Sequence, residues 1–460
     1  MEATVRGSEK SLPMYKGAPI LGVFREFNRD TITFFEHTWQ TYGDHFVTKL
    51  GPRTLHVISD PLLAQEALTT RKHILRRSQN FEGGTPLTYI LGLSLITIDG
   101  DSWLLKRRMM QPMFHRSNIT AMGDKMQAAG KAMLERWSQL QPDHTVELTR
   151  EMKLVTLDII NRTMFSYDVL KEVDRIGGVV DSSLDFIAGR AGNPFALPAR
   201  WTVIPAHKKF WEQRARLDDY LFRMIRERRA ALARGERKND LLEMLIEAQD
   251  ADTGESMNDQ QVRDEVSGIY GAGHETTALA LTWAWHALNK HPEVLQKIRA
   301  EVDALGHDVQ ASDLAALPYT LAVMEETMRL YPPVPMTIRV AFEKTELGGA
   351  SIPQGDLVSI VIRNIHRHPG YWQDPLVFQP ERFLPANKAS LNRNAYIPFL
   401  SGPHMCIGNH FALLEGHLLL AMIVQKYDLA ESPNQSDEGR MAITLRLKYG
   451  LPVRITPRKS

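Results

Sequence analysis

One cysteine, Cys406, stands among 460 residues. A single thiol rules out any intramolecular disulfide, and with it the stapled scaffold of small secreted proteins. Long apolar runs are also missing. The richest, 411–424, is interrupted by Glu415, Gly416 and His417, short of the roughly 20 residues that cross a bilayer. Residues 1–10 hold no apolar segment of the signal-peptide kind, so a soluble, cytoplasmic chain is expected. Neither sign of charge is in excess, with 55 Lys and Arg against 54 Asp and Glu and a formal net charge of +1. Nothing in that balance implies nucleic acid or a strongly acidic surface as a partner. No Gly-rich dinucleotide fingerprint sits in a strand–helix–strand unit, and no repeat or low-complexity tract is found. What remains is ordinary for a folded body, 43% hydrophobic and 24% charged.

After a proline-punctuated lead-in over 12–22, Asp30 opens a helix carrying Phe34, Phe35, Trp39 and Tyr42, and Gly43 stops it. Segments 46–50 and 54–58 flank Gly51-Pro52 as a hairpin. Asp60-Pro61 sets an N-cap before an N1 proline and predicts another helix. Segments near 118–140, 149–165, 206–234, 258–290, 292–305 and 318–331 carry helical periodicity or caps. An extended stretch, 357–362, is placed to join the hairpin across the chain. The expectation is one domain over 1–460, mainly α. A small β-rich lobe is built from about 1–80 together with 335–365.

Four local patterns carry chemistry. In 399–408, Cys406 lies between Gly402 and Gly408 where a loop feeds a helix; dipole and free N–H groups there are expected to lower the thiol's pKa, and the glycines to admit backbone close to the sulfur. Ala272-Gly273-His274-Glu275-Thr276-Thr277 sits in mid-helix, where a glycine and two hydroxyls weaken the helix. Such a local departure from helix-favouring residues is where functional sites tend to lie; a helix crossing that needs small residues is the alternative. Glu326 and Arg329 share a helix face and are followed by Pro380-Glu381-Arg382-Phe383. Trp103 and Arg107, four apart, put an indole N–H and a guanidinium on one side of a helix, and Arg suits bidentate carboxylate recognition.

The 399–408 loop resembles the haem-thiolate loop of the cytochrome P-450 superfamily at Phe399, Gly402, Cys406 and Gly408, with His404 where arginine is usual. The other three patterns resemble that family's motifs in the same order. The resemblance implies the cytochrome P-450 fold, with haem b (iron protoporphyrin IX) between two long helical segments and Cys406 as its axial metal ligand. In that family a thiolate pushes electron density onto haem iron and favours O–O cleavage. It further implies Thr276 at the oxygen with a water, Glu275 relaying protons, and Ala272 with Gly273 leaving room beside the haem. Trp103, Arg107, Arg339 and His404 would meet the haem propionates. Glu326, Arg329 and Arg382 would form a buried network bracing the cysteine loop.

The activity so implied is a soluble, bacterial-type monooxygenase. It uses O2 and NAD(P)H-derived electrons from a separate ferredoxin or flavodoxin with its reductase, to hydroxylate or epoxidise a lipophilic small molecule. Lys106, Arg108 and Arg116 are docking candidates. The pocket is expected from Leu91 to Ile98 and from Ile269, Ala272, Met336, Thr337 and Ile443, an uncharged set suited to a terpenoid, steroid or fatty acid. The access lid is expected over 179–205, and the chain as a monomer. A peroxide-using peroxygenase or isomerase is the alternative, disfavoured by the intact Glu275-Thr276 pair. A non-catalytic haem sensor, or a helical interaction protein without haem, stands beyond it.

Overall fold

The computed structural model describes residues 11–77, 87–141, 143–167, 178–179, 182–183, 185–187, 201–249, 254, 256–441 and 443–458. Helices dominate, and their ends follow local chemistry. Helix α1 (Thr31–Tyr42) begins where the Asp30 carboxylate accepts the Thr33 N–H at 3.1 Å, and ends at Gly43 with φ 82°. Strands β1 (His45–Leu50) and β2 (Arg53–Ile58) form the hairpin, with Leu50 opposite Arg53. Strand β3 is Leu75–Arg76, β4 is Thr337–Ala341 and β5 is Leu357–Ile360. The five make one sheet in the order β1-β2-β5-β4-β3, in which β2 and β5 run parallel. The small sheet therefore takes strands from both ends of the chain.

The helical body is arranged about one element. Helix α2 (Gly100–Met110), α3 (Gly123–Ser138), α4 (Leu148–Ile160) and α5 (Pro205–Ala233) precede α6 (Asp259–Lys290). Then come α7 (Pro292–Asp303), α8 (Pro318–Leu330) and α9 (Asn409–Lys426). Helix α6 starts with reciprocal bonds of 2.9 Å between Asn258 and Gln261, a capping box. At 32 residues it is about 48 Å long. Its side chains are buried almost all round from Val262 to Leu288, so it shows no simple amphipathic stripe. Helix α4 crosses it closely: the Thr156 hydroxyl donates to the His274 carbonyl at 2.9 Å. A Cβ on Gly273 would lie 2.7 Å from Ile160 Cδ1. The expected room at Gly273 is thus taken by α4, and only Ala272 keeps its side open; the glycine serves a helix crossing.

The segment 118–140 divides into Arg116–Ala121 and α3, because Gly123 packs where a Cβ would come within 2.7 Å of Ala311. Late pairs of short strands, such as Tyr427–Glu431 with Pro452–Pro457, lacked a sequence signal. Most of the expected lid, 179–205, lies outside the described residues; within it, Phe186 stacks on Phe210 at 4.5 Å. No helix among the described residues is long and apolar enough to cross a membrane.

Two histidines report on how tightly this body closes. Burial pushes His366 down to about 3 and His417 down to about 4. His366 Nε2 accepts the Ile397 N–H at 2.9 Å, and His417 Nε2 lies 2.9 Å from the Leu317 carbonyl. Below about pH 6.5 the unfolded chain binds both protons and the folded chain does not, so stability falls as pH drops from 6.5 towards 4. The slope is about 1.4 kcal/mol per pH unit for each histidine. Urea titrations at pH 7, 6 and 5 should show His417→Gln losing less stability per unit than the parent by about that amount.

Candidate active site

The single cysteine sits on a loop held in an unusual backbone. Leu400 adopts φ 63° without being glycine, and Gly402 adopts φ 72°. A Cβ on Gly402 would lie 2.3 Å from the Leu68 carbonyl oxygen, so only glycine fits. The Cys406 N–H donates to the Phe399 carbonyl at 2.9 Å, and the Met405 N–H to Gly402 at 3.1 Å, closing the loop on itself. Gly408 is the residue just before α9, and a Cβ there would meet only the Cys406 sulfur, at 3.9 Å. Space beside the sulfur is open.

The Cys406 side chain is exposed to solvent, although protein packs densely around it. Burial pushes its pKa up, opposed by the Gly408 N–H and the Arg107 charge. The expectation of a lowered pKa therefore fails for the chain by itself. Cys406 precedes the first turn of α9, so the helix end contributes less than desolvation takes away. A cation placed at the sulfur would reverse that balance.

Beside the loop lies a cluster of cations. The Arg107 guanidinium donates to the Met405 carbonyl at 3.0 Å, fastening α2 to the loop. Arg339, on β4, is 3% exposed; its Nη1 donates to Thr337 Oγ1 at 2.7 Å and to the Ile338 carbonyl at 3.0 Å, while its buried Nη2 has no partner. Burial first, then the Arg339 and Arg107 charges, push Arg77 down to about 9; burial pushes Arg339 down to about 10. Arg77 was not singled out from sequence, having no motif around it. Its N–H bonds Asp99 Oδ2 at 2.8 Å, and its guanidinium reaches the Leu95 carbonyl at 2.9 Å.

His404 pairs with Asp99 at 3.4 Å and packs its ring against Trp103, centroids 4.1 Å apart. Burial lowers the His404 pKa, the Asp99 bond opposing it. Burial would raise Asp99, yet bonds from His404, Arg77 N–H and Gly100 N–H hold it well below the usual carboxylate range. Three crowded guanidinium groups, one without a full set of acceptors, suit the acidic edge of a ligand. With an open thiol at the other side, the donor set fits a thiolate-ligated, carboxylate-bearing cofactor.

The middle of α6 is the least buried part of its interior: Ile269, Gly271, Gly273 and Thr276 are partly exposed and Ala272 is exposed. Ile269, Ala272 and Thr276, at spacings of three and four, share one face. Thr276 Oγ1 donates to the Ala272 carbonyl at 2.8 Å. Glu275 is 1% exposed and turned to other partners: Lys153 of α4, at 3.6 Å, and Arg446 from the C-terminal strand Leu445–Leu447. Met336, Thr337 and Ile443 are partly exposed, and a Leu445 N–H bond to the Pro333 carbonyl at 3.0 Å joins the two stretches that carry them.

The network under the loop centres on Arg329, which is fully buried. It donates to both Glu326 oxygens, at 2.6 and 2.7 Å, and to the carbonyls of His366, Pro375 and Val377. Arg382 joins less closely, its Nε 3.6 Å from Glu326 and its Nη2 on the Asp374 carbonyl at 3.0 Å. His366 connects this network to Ile397 and so to the cysteine loop.

Of the docking candidates, Arg108 and Arg116 are exposed. Lys106 is not: it is 8% exposed, ion-paired with Glu265 at 2.8 Å and bonded to the Leu93 carbonyl at 2.5 Å. A lysine on the inner side of α2 cannot dock a partner, so that expectation is withdrawn.

Gly402→Ala would force a Cβ into the Leu68 carbonyl at a backbone angle L-residues avoid, a strain of about 1–3 kcal/mol concentrated on the loop. The expected outcome is a folded chain, by circular dichroism, with a large loss of haem uptake in a Soret titration.

The family model "Cytochrome P450" matches residues 12–451. Cyclooctatin synthase of Streptomyces melanosporofaciens is 32% identical over 444 residues, covering 96% of this chain and 94% of that protein. Cyclooctat-9-en-7-ol 5-monooxygenase of the same organism is 31% identical over 418 residues, covering 90% and 88%. Among solved structures, the cytochrome P450DA heme domain superposes with a TM-score of 0.88 at 26% identity, covering 97% of each chain. Plant and mammalian P450 proteins are also similar, for example secologanin synthase 1 of Catharanthus roseus at 30% identity, so kinship does not mark the chain as bacterial. The match runs from the proline-rich lead-in to the final strands, and the chain belongs to the cytochrome P450 family of haem monooxygenases.

Proposed function

We propose that Cys406 is the axial thiolate of haem b, and that the chain inserts oxygen from O2 into a lipophilic small molecule. Electrons come from NAD(P)H through a separate ferredoxin or flavodoxin and its reductase. The observation that carries this reading is the open thiol of Cys406 on a glycine-restricted loop beside the crowded Arg77, Arg107 and Arg339. Arg339, Arg107 and Trp103 would hold the propionate edge, with Arg77 added to the set. His404, which packs against Trp103 and pairs with Asp99, would complete that edge.

Bound haem supplies a redox-active iron at which dioxygen is reduced. The protein's part is to deliver protons and keep the substrate in place. Thr276 Oγ1 already donates to the Ala272 carbonyl, so its oxygen is turned outward as an acceptor that orders water in the cleft. Glu275, one residue away, would act as the relay by leaving its ion pairs with Lys153 and Arg446, taking up a proton from solvent water and passing it on towards Thr276. Exposed Arg108 and Arg116 remain as docking charges for the redox partner.

The lining formed by Ile269, Ala272, Met336 and Ile443 is apolar, and one similar protein is named for oxidising cyclooctat-9-en-7-ol, an alkenol by its name. Among lipophilic substrates, a terpenoid alcohol or its hydrocarbon precursor is therefore first, ahead of steroids and fatty acids. A spectral-shift screen across these three classes tests the ranking; a response to fatty acids alone reverses it.

Thr276→Ala is expected to bind substrate as the parent does while product per NAD(P)H falls about tenfold or more, with peroxide released instead. Equal coupling in the two proteins removes Thr276 from proton delivery. A ferrous carbonmonoxy complex without the red-shifted band of a thiolate ligand overturns the assignment of Cys406.

A further inference from the structure

Segment 90–98 lies over the first turns of α6, and polar side chains fasten its backbone at Ile90, Leu93, Leu95 and Ile96. The Leu93 N–H donates to Asp264 Oδ2 at 2.8 Å, and the Leu95 N–H to Glu265 Oε2 at 3.0 Å. Ser267 Oγ donates to the Ile90 carbonyl at 3.0 Å. From α2, Lys106 Nζ reaches the Leu93 carbonyl at 2.5 Å and the other Glu265 oxygen at 2.8 Å. From beyond β3, Arg77 holds the carbonyls of Leu95 and Ile96, at 2.9 and 3.3 Å. Inside the segment, Thr97 Oγ1 accepts the Ser94 N–H at 3.0 Å and donates to the Gly92 carbonyl at 2.6 Å.

Two glycines make the approach possible. A Cβ on Gly92, at φ 58°, would fall 2.1 Å from the Asp264 carboxyl carbon. A Cβ on Gly268 would meet Ser94 at 2.9 Å, and Ile96 Cδ1 lies just 3.7 Å from the same point. Ile96 is partly exposed, and its Cδ1 lies near Gly268, the residue that precedes Ile269 on α6. Glu265 is 1% exposed, Asp264 5% and Lys106 8%. Burial raises the Glu265 pKa and the Lys106 charge opposes it; the 2.8 Å ion pair at Oε1 and the Leu95 N–H bond at Oε2 hold the carboxylate, although Oε1 takes no well-aligned hydrogen bond.

A wall made only of apolar contacts slides, because dispersion has no direction. A wall whose N–H and C=O groups are bonded to buried ionic side chains has one position. We propose that the Glu265–Lys106 pair, with Asp264, is a specificity-determining clamp: it fixes segment 90–98, and through it Ile96, as an unyielding side of the substrate pocket. The clamp favours a rigid, compact polycyclic substrate over a flexible chain, since such a wall selects by shape. This rests on the reading above that the Ile269, Ala272 and Thr276 side of α6 faces substrate. The clamp also ties the wall to α2, the helix of Trp103 and Arg107, so the cofactor's edge and the substrate's side share one support. Glu265 and Lys106 are positioning residues, touching neither.

Hydrogen exchange on the haem-loaded parent decides the first part without any variant. The peptide over 90–98 should exchange as slowly as the core of α6. Exchange within seconds, as in an unbonded surface loop, overturns the clamp. The second part uses Lys106→Met with Glu265→Leu, which strands no charge, and Lys106→Met with Glu265→Gln, which keeps an acceptor for the Leu95 N–H. Probes are imidazole and 4-phenylimidazole, which bind haem iron directly and differ by a ring that meets the wall. In the Leu variant the ratio of their dissociation constants should shift about tenfold or more, the low end of what a misplaced methylene costs. The Gln variant, which keeps an acceptor for the Leu95 N–H but loses the Lys106 bond to the Leu93 carbonyl, should shift clearly less than the Leu variant. A parental ratio in the Leu variant with protection lost, or equal shifts in both variants, overturns the specificity role. The parent's Soret band, read first, reports separately on the haem assignment.

Discussion

Everything near the cysteine depends on the burial of one guanidinium. Arg329 lies inside the protein with every neighbour in place: the Glu326 carboxylate on one side and the carbonyls of His366, Pro375 and Val377 on the other. A buried cation of this kind is tolerable only while all its acceptors stay. It therefore pins the chain from 366 to 377 against α8. His366 then accepts the Ile397 N–H, Ile397 accepts the Leu400 N–H at 3.0 Å, and Phe399 accepts the Cys406 N–H. The position of a sulfur atom is thus specified by a relay of short bonds that begins 77 residues earlier in sequence, counting from 329 to 406. The strained backbone at Leu400 persists because this relay leaves it no other conformation.

How much of this could be read beforehand follows from how far apart the cooperating residues are. The caps at Asp30 and Asp60, the stop at Gly43 and the N1 prolines at 61, 292 and 318 act within a turn, and each marked a helix end. Cys406, Thr276, Glu326 and Trp103 were found because each belongs to a short pattern. Arg77, Asp99, Lys106, His366 and Arg446 were missed or misplaced because their partners are distant. Glu275 meets Arg446 across 171 positions, and Leu93 meets Asp264 across the same span. A lysine beside two arginines on a helix reads as surface charge, and no local signal showed that the Lys106 side faces inward. The raised pKa of Cys406 was missed for a related reason: the helix end is visible in sequence, but the depth of the protein wall around the thiol is not.

The site's electrostatics are consistent with a protein shaped around something it does not itself contain. Arg77, Arg107 and Arg339 repel one another in a buried setting with Asp99 as a compensating acid, and Asp99 is already committed to His404. Folding without an anionic partner leaves that repulsion standing, so cofactor binding and folding are linked by mass action. The line along α6 has the opposite character: Ile269, Ala272 and Thr276 carry no charge, and the Thr276 hydroxyl is already bonded to the Ala272 carbonyl.

The mixed sheet has a consequence for biosynthesis. Strand β2 emerges from the ribosome early, but its parallel neighbour β5 pairs Ile58 with Ile360, about 300 residues later. At a synthesis rate of roughly 5–20 residues per second, the open edge of β2 stays unpaired for on the order of 15–60 s. During that interval the hairpin is an apolar template able to recruit any passing strand. Production yield in a foreign host should accordingly depend on translation speed and holdase supply as much as on the stability of the finished fold.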